Sequence, residues 1–170
     1  MPPADNLERL YDAHASALFA FLLSLARNEP DTRDLMQEVF VKLARQPDLL
    51  AGVRDERAFL LRLAHNLAID QMRRRRTREK NYARLGLESS RHFAASDDPD
   101  EEAFRTAVSA ALDDLPADQR AVMHLKLRAG LTFEEIAATL ATSPNTAASR
   151  YRYGLDKLQR RLRPLYDEIK

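Results

Sequence analysis

The segment Leu131 to Thr146 reads Leu-Thr-Phe-Glu-Glu-Ile-Ala-Ala-Thr-Leu-Ala-Thr-Ser-Pro-Asn-Thr, and it constrains the local fold more than any other part of the chain. Thr132 with Glu135 three residues on forms a capping box, which fixes where a first helix starts. Ile136, Ala137 and Leu140 then supply an apolar stripe at helical spacing. Ser143 is a good N-cap, and Pro144 falls at the first helical position, where its missing N–H costs nothing. The small residues Ala137, Ala138 and Ala141 let two helices approach closely. The pattern predicts helix, tight turn, helix, with the second helix running on through Arg150 and Arg152. A helix-turn-helix lays its second helix in a DNA major groove. An ordinary helical hairpin in an all-α core is the plainer alternative.

The rest of the chain is compatible with helix nearly throughout. It has only four glycines in 170 residues, and no strand pattern or internal repeat interrupts the helical periods. One helix is expected from about Leu7 to Arg27, ending near Asn28-Glu29-Pro30. A second starts near Asp31 or Thr32, with Leu35, Met36, Val39, Phe40 and Leu43 on one face. Pro47 and Gly52 make Gln46 to Asp55 a loop. A third helix starts near Glu56 and carries Leu60, Leu63, Ala64 and Leu67 at i, i+3, i+4, i+7 spacing. From Leu85 to about Asp100 periodicity fades into a linker of Gly, Ser, Pro and acids. Helices from Phe104 to Asp114 and from Pro116 to a C-cap at Gly130 precede the helix-turn-helix. The fold class is therefore all-α, with two small helical domains joined by a linker.

Charge is distributed unevenly about a formal net of +1. Basic residues gather in Arg73 to Lys80 and in Arg150 to Arg163, and acids in Asp97 to Glu102. Two basic patches flanking an acidic joint suggest two DNA-facing surfaces. The absence of cysteine rules out disulfides and thiolate metal sites and fits a reducing cytoplasm. No apolar run is long enough to span a bilayer, and the N-terminus lacks a signal-peptide layout. A soluble cytoplasmic protein without membrane insertion is expected.

Catalytic chemistry has no foothold. His14, His65, His92 and His124 lie in different segments and form no metal-ligand spacing. There is no phosphate-cradling glycine loop and no nucleophile elbow, so no enzyme, cofactor, metal site or small-molecule substrate is expected. Arg62, Asn66, Asp70 and Arg73 form one polar stripe on the third helix, opposite its leucines. That stripe suits either solvent or nucleic acid, since it leads into Arg74-Arg75-Arg76. Asp34, Gln37, Glu38, Lys42 and Arg45 stripe the second helix and, taken alone, read as a solvated face.

Several of these segments together resemble the extracytoplasmic-function (ECF) group of bacterial sigma factors. Asp34-Leu35-Met36-Gln37-Glu38-Val39-Phe40 is similar to that family's "DLxQExF" signature. Phe59 to Asp70 followed by Arg73-Arg74-Arg75 is similar to its aromatic-L-x-R-I-A-x-N-x-x-x-D-x-x-R-R segment. Leu112 to Pro116 with Gln119-Arg120 is similar to its "L-x-x-LP-x-x-x-R" opening, and Thr132 to Arg150 to its helix-turn-helix. The resemblance implies a region 2 unit over residues 1–84, an acidic linker over 85–103 and a region 4 unit over 104–170. It implies that Asp34, Gln37 and Glu38 dock on core RNA polymerase, overturning the solvated reading of that stripe. Arg62, Asn66, Asp70, Arg73, Arg74, Arg75 and Arg76 would meet the −10 element of promoter DNA. The loop from Gln46 to Asp55 would take a flipped-out base. Ser143, Asn145, Thr146, Ala148, Ser149, Arg150 and Arg152 would read the −35 element. An anti-sigma factor is a further partner that the resemblance raises. Many relatives carry G-T-V-K-S-R where this chain has Asn145-Thr146-Ala147-Ala148-Ser149-Arg150, so Ala148 replaces a lysine contact. Tyr151, Tyr153 and Gly154 also depart from the pattern. A mimic that sequesters an anti-sigma factor and a stand-alone helix-turn-helix regulator are the alternatives.

Overall fold

A computed structural model describes residues 3–81 and 98–169. Those residues form seven α-helices and one 3₁₀ turn, with no strand among them. The first unit comprises α1 (Pro3–Ala26), α2 (Glu29–Arg45) and α3 (Glu56–Asn81), with the 3₁₀ turn Pro47–Leu50 between the last two. The second unit comprises α4 (Pro99–Asp113), α5 (Ala117–Leu127), α6 (Phe133–Leu140) and α7 (Pro144–Ile169). The expected linker from Leu85 lies outside the described residues as far as residue 97.

Two helix starts differ from the sequence expectation for the same reason. Asn28-Glu29-Pro30 was expected to close α1, but it also opens α2. Asn28 is extended (φ −150°, ψ 151°), and its side chain accepts a hydrogen bond from the Asp31 N–H at 2.9 Å. Pro30 is tolerated in the first turn because no N–H is needed there. Likewise α4 starts at Pro99 rather than near Phe104. Asp98 caps it by accepting from the Asp100 N–H at 3.0 Å, and Asp100, Glu101 and Glu102 sit in its positive first turn. Acids that look like linker composition are thus a helix start.

α1, α2 and α3 bury Leu10, Leu18, Phe21, Leu22, Leu25, Leu35, Val39, Leu43 and Leu60 almost completely. α5 and α6 bury Val122, Leu125 and Ile136. These residues belong to one continuous apolar cluster, because α1 packs on α5 and α3 packs on α6. At about 25 cal/mol per Å² of apolar surface removed from water, a shared core of this kind holds the units together more strongly than surface polar contacts do.

The helix-turn-helix forms as its residues predict. The capping box is complete: Thr132 Oγ1 accepts from the Glu135 N–H, and Glu135 Oε2 accepts from the Thr132 N–H at 2.8 Å. Ser143 Oγ accepts from the Thr146 N–H at 3.0 Å and caps α7. The tight turn passes through Ala141 in the left-handed region (φ 52°, ψ 49°). A β-carbon is costly there, so the packing of α6 on α7 holds the turn against that cost.

Candidate nucleic-acid interface

Three helix faces carry the expected contact residues. On α2, Leu35, Met36, Val39 and Leu43 point into the core, which leaves Asp34, Gln37 and Glu38 exposed on the opposite side. None of the three has a hydrogen bond or ion pair among the described residues.

α3 is divided along its length. Its first half buries Leu60, Leu61, Leu63, Ala64, Leu67 and Ala68. Arg62 and Asn66 are exposed, Asp70 is part-buried, and Arg73 to Arg76 are exposed. Asp70 pairs with Arg73 one turn on. Arg75 is clamped by both carboxylate oxygens of Asp31. Burial pushes the Asp31 carboxyl up, but hydrogen bonds from Arg75 and Asn28 outweigh it and hold the group below the usual carboxylate range. Arg75 is therefore a brace between α3 and α2. Arg74 and Arg76 are exposed and have no such partner among the described residues. Arg62 reaches across to the second unit, where its Nε donates to the Thr139 carbonyl at 3.1 Å and its Nη2 to that of Ala138.

On α7, Asn145 and Arg152 are exposed. Thr146, Ala148 and Ser149 are part-buried, and Ser143 is occupied in capping. Arg150 turns toward α5, with Nη2 3.4 Å from Asp118 Oδ2. The aromatic departures resolve into separate roles. Tyr151 packs edge-on against Phe133, with ring centroids 5.7 Å apart, and joins the core. Tyr153 is 56% exposed, with the Arg152 guanidinium 5.6 Å from its ring. Gly154 is buried where α7 crosses α5, and a β-carbon there would lie 3.2 Å from Met123 Cγ. A larger residue there would require Met123 to shift by a few tenths of an ångström.

Residues 10–78 match Sigma-70 region 2, and residues 105–158 match Sigma-70, region 4. The ECF RNA polymerase sigma factor SigX of Bacillus subtilis is 28% identical over 170 residues, spanning 97% of this chain and 88% of that one. The RNA polymerase sigma factor CarQ of Myxococcus xanthus is 31% identical over 165 residues, spanning 97% of this chain and 94% of its own. The chain belongs to the ECF sigma factors. The sigma factor RpoE of Bartonella quintana, solved in complex with the anti-sigma factor NepR, superposes with a TM-score of 0.75 at 26% identity. That match covers 93% of this chain and 97% of the other. The protein is a transcription initiation factor that works with RNA polymerase at promoter DNA; it is not an enzyme.

Two residues of this sigma factor gained no role from sequence. Arg27 and Arg120 bridge the units. Arg27 Nε donates to Asp113 Oδ1 at 2.5 Å, and Arg120 Nη2 to the Leu25 carbonyl at 2.9 Å. Arg120 was visible only as the end of a motif, and Arg27 followed a helix with nothing to distinguish it. No helix of the described residues is long and apolar enough to cross a membrane.

Proposed function

We propose that the first unit, residues 1–84, binds core RNA polymerase and the −10 element, and that the second unit, from α4 (Pro99–Asp113) onward, reads the −35 element. Asp34, Gln37 and Glu38 dock on the polymerase clamp. Arg62, Asn66 and Asp70, with Arg73, Arg74, Arg75 and Arg76, meet the −10 strand. Asn145, Ser149 and Arg152 reach −35 base edges and phosphates. Thr146, Ala148 and Arg150 flank that contact, and Ser143 sets the angle of the helix. The loop around Gly52 (φ 74°) takes an unstacked base.

One observation carries this reading. The Asp34–Gln37–Glu38 row is exposed and makes no hydrogen bond or ion pair among the described residues. A row of acceptors left free on a rigid helix suits a partner rather than self-packing. Phosphate neutralisation by Arg74 and Arg76 supplies sequence-independent affinity, while the groove contacts of α7 supply register. The protein acts in the cytoplasm, where polymerase and promoter are. NepR bound to RpoE supports an anti-sigma factor as a further partner here.

Run-off transcription with core polymerase tests the assignment. Asp34→Ala with Glu38→Ala should abolish co-purification with core and specific initiation. Arg74→Ala with Arg76→Ala should leave core binding intact and lower the salt dependence of promoter binding by about one phosphate per arginine. Loss of neither property would overturn the reading. A sequestering mimic would bind neither core nor promoter, and a stand-alone regulator would bind duplex DNA without polymerase.

A further inference from the structure

α2 opens on a buried polar knot. Asp31 and Thr32 lie at its start, and both are buried. Asn28 caps the helix by accepting from the Asp31 N–H at 2.9 Å, and its Nδ2 donates to Asp31 Oδ2 at 2.5 Å. Thr32 Oγ1 donates to the Asn28 carbonyl at 2.7 Å. The Asp31 carboxylate has one further partner, and it comes from another helix. Arg75 of α3 donates from Nη1 to Oδ2 and from Nη2 to Oδ1. Two parallel bonds between a guanidinium and a carboxylate fix geometry as well as adding energy. The Asp31 side chain is only 11% exposed, against 50% for Arg75, so the carboxylate is the fixed end of the pair. Unlike the seam at which Arg27 and Arg120 join the two units, this contact lies wholly within the first unit.

The contact falls where α3 has little else to steady it. Met72 is the last α3 side chain packed on the apolar core, and no apolar residue follows it from Arg73 to Lys80. Arg74, Arg76 and Arg78 stand two, four and six residues beyond Met72, on about 9 Å of helix. They are exposed and make no hydrogen bond or ion pair among the described residues. The neighbouring polar ties, Arg73 to Asp70 and Thr77 Oγ1 to the Arg73 carbonyl at 3.1 Å, stay on α3 and cannot set its direction. Helices draw most of their stability from tertiary packing, so an end without it frays and swings unless it is tied. Arg75 is the tie, and its anchor lies three residues before Asp34 on α2.

We propose that Asp31 is a positioning residue for promoter binding: through Arg75 it locks the direction of the α3 arginines to the helix that docks on polymerase. The proposal rests on reading Asp34, Gln37 and Glu38 as the docking row and Arg74 and Arg76 as strand contacts. It changes the part played by Arg75, which aims its neighbours instead of touching a phosphate. Charge alone gives Asp31 the opposite role, because a carboxylate close to a DNA-facing helix repels phosphate. The two accounts therefore differ in sign.

Holoenzyme assembled from the full chain and core polymerase tests this on a promoter fragment from which it initiates, with binding followed as salt is varied. Arg74→Ala with Arg76→Ala sets the reference, and the slope of log K against log salt should fall by about two. Asp31→Asn removes a charge and little volume. It should leave core binding intact and lower the salt slope by about one to two, even though it makes the chain more positive. Added to the arginine pair it should have no further effect, since the residues it aims are gone. Arg75→Lys keeps a charge that could meet phosphate but loses the two-pronged grip, and it should behave as Asp31→Asn does. Its half-exposed site makes it the variant to rely on should Asp31→Asn fold poorly. Tighter or unchanged promoter binding by Asp31→Asn, a loss that simply adds to that of the arginine pair, or parent-like binding by Arg75→Lys would each overturn the proposal. Loss of core binding would do so too, by making Asp31 part of the docking row. A reference pair that leaves the slope untouched would instead refute the strand contacts themselves, and the proposal with them.

Discussion

α3 and α7 both carry several arginines, yet they are anchored on opposite plans. α3 buries a dense row of leucines and alanines over its first half and then projects its arginines beyond that anchor. Among its described residues α7 fully buries only Ala147 and Gly154, with Tyr151 packed partly against the core, and it spreads its basic residues along its length. An anchor of many large side chains tolerates change on its exposed end. A seat made from two small residues depends on both remaining small. The difference teaches where each unit is vulnerable: the first in its core and the second at its closest helix crossing.

The largest effect should come from Phe21→Ala, which removes a wedge shared by both units. A loss of about 3–5 kcal/mol is expected from cavity formation in a packed core, read by chemical denaturation. If the two units melted separately in the parent protein, the shared core would be refuted. Gly154→Val should come next. Its branched side chain would press on Met123 and cost about 1–3 kcal/mol, through overpacking that shifts α7 from α5. A stability equal to the parent would show that Met123 yields freely.

A milder effect should follow acidification. Burial, with the Arg128 charge adding to it, holds His124 down to about 4, and burial lowers His65 despite Asp118 nearby. Arg150 also faces His65 and resists its charging. Both rings are neutral in the folded protein, whereas in the unfolded chain they take up a proton near 6.5. Their contribution to folding stability is therefore fully present above that pH and is lost as pH falls from about 6.5 toward 4. The Asp31 and Glu56 carboxyls, both lowered by arginine hydrogen bonds that outweigh burial or exceed it, lose their stabilising contribution only at more acidic pH. His124→Leu should flatten the dependence; an unchanged titration would assign the effect elsewhere. The smallest change in stability, within about 0.5 kcal/mol, is expected for Arg74→Ala with Arg76→Ala, because both side chains are exposed. A larger loss would mean that the projecting end of α3 is itself part of the packing.

Local chemistry was the readable part of this chain. The capping box at Thr132 and Glu135, the Ser143 cap and the leucine period of α3 each depend on neighbours within one or two turns. Their structure follows from spacing alone. Ala141 could not be foreseen as the turn residue, since alanine has no preference for the left-handed region, and packing imposes that backbone. The arginines of α3 were readable as a basic run but not as individuals. Only tertiary neighbours distinguish Arg75, braced on Asp31, from the unpartnered Arg74. The same holds for Arg150, which a motif assigns to DNA and the fold turns toward Asp118. The seam was invisible because its contacts join residues as far apart as Ser24 and Arg120, separated by 96 positions.

That separation gives each molecule a history. At roughly 5–20 residues per second of synthesis, the last turn of α1 waits on the order of 5–20 s for the arginine that finishes it. For about the second half of that interval Phe21 can have His65 beside it but not yet His124, and the Ser24 and Leu25 carbonyls are without Arg120 throughout. Every newborn chain thus passes through an interval in which the end of its first helix stands without the arginine that later completes it.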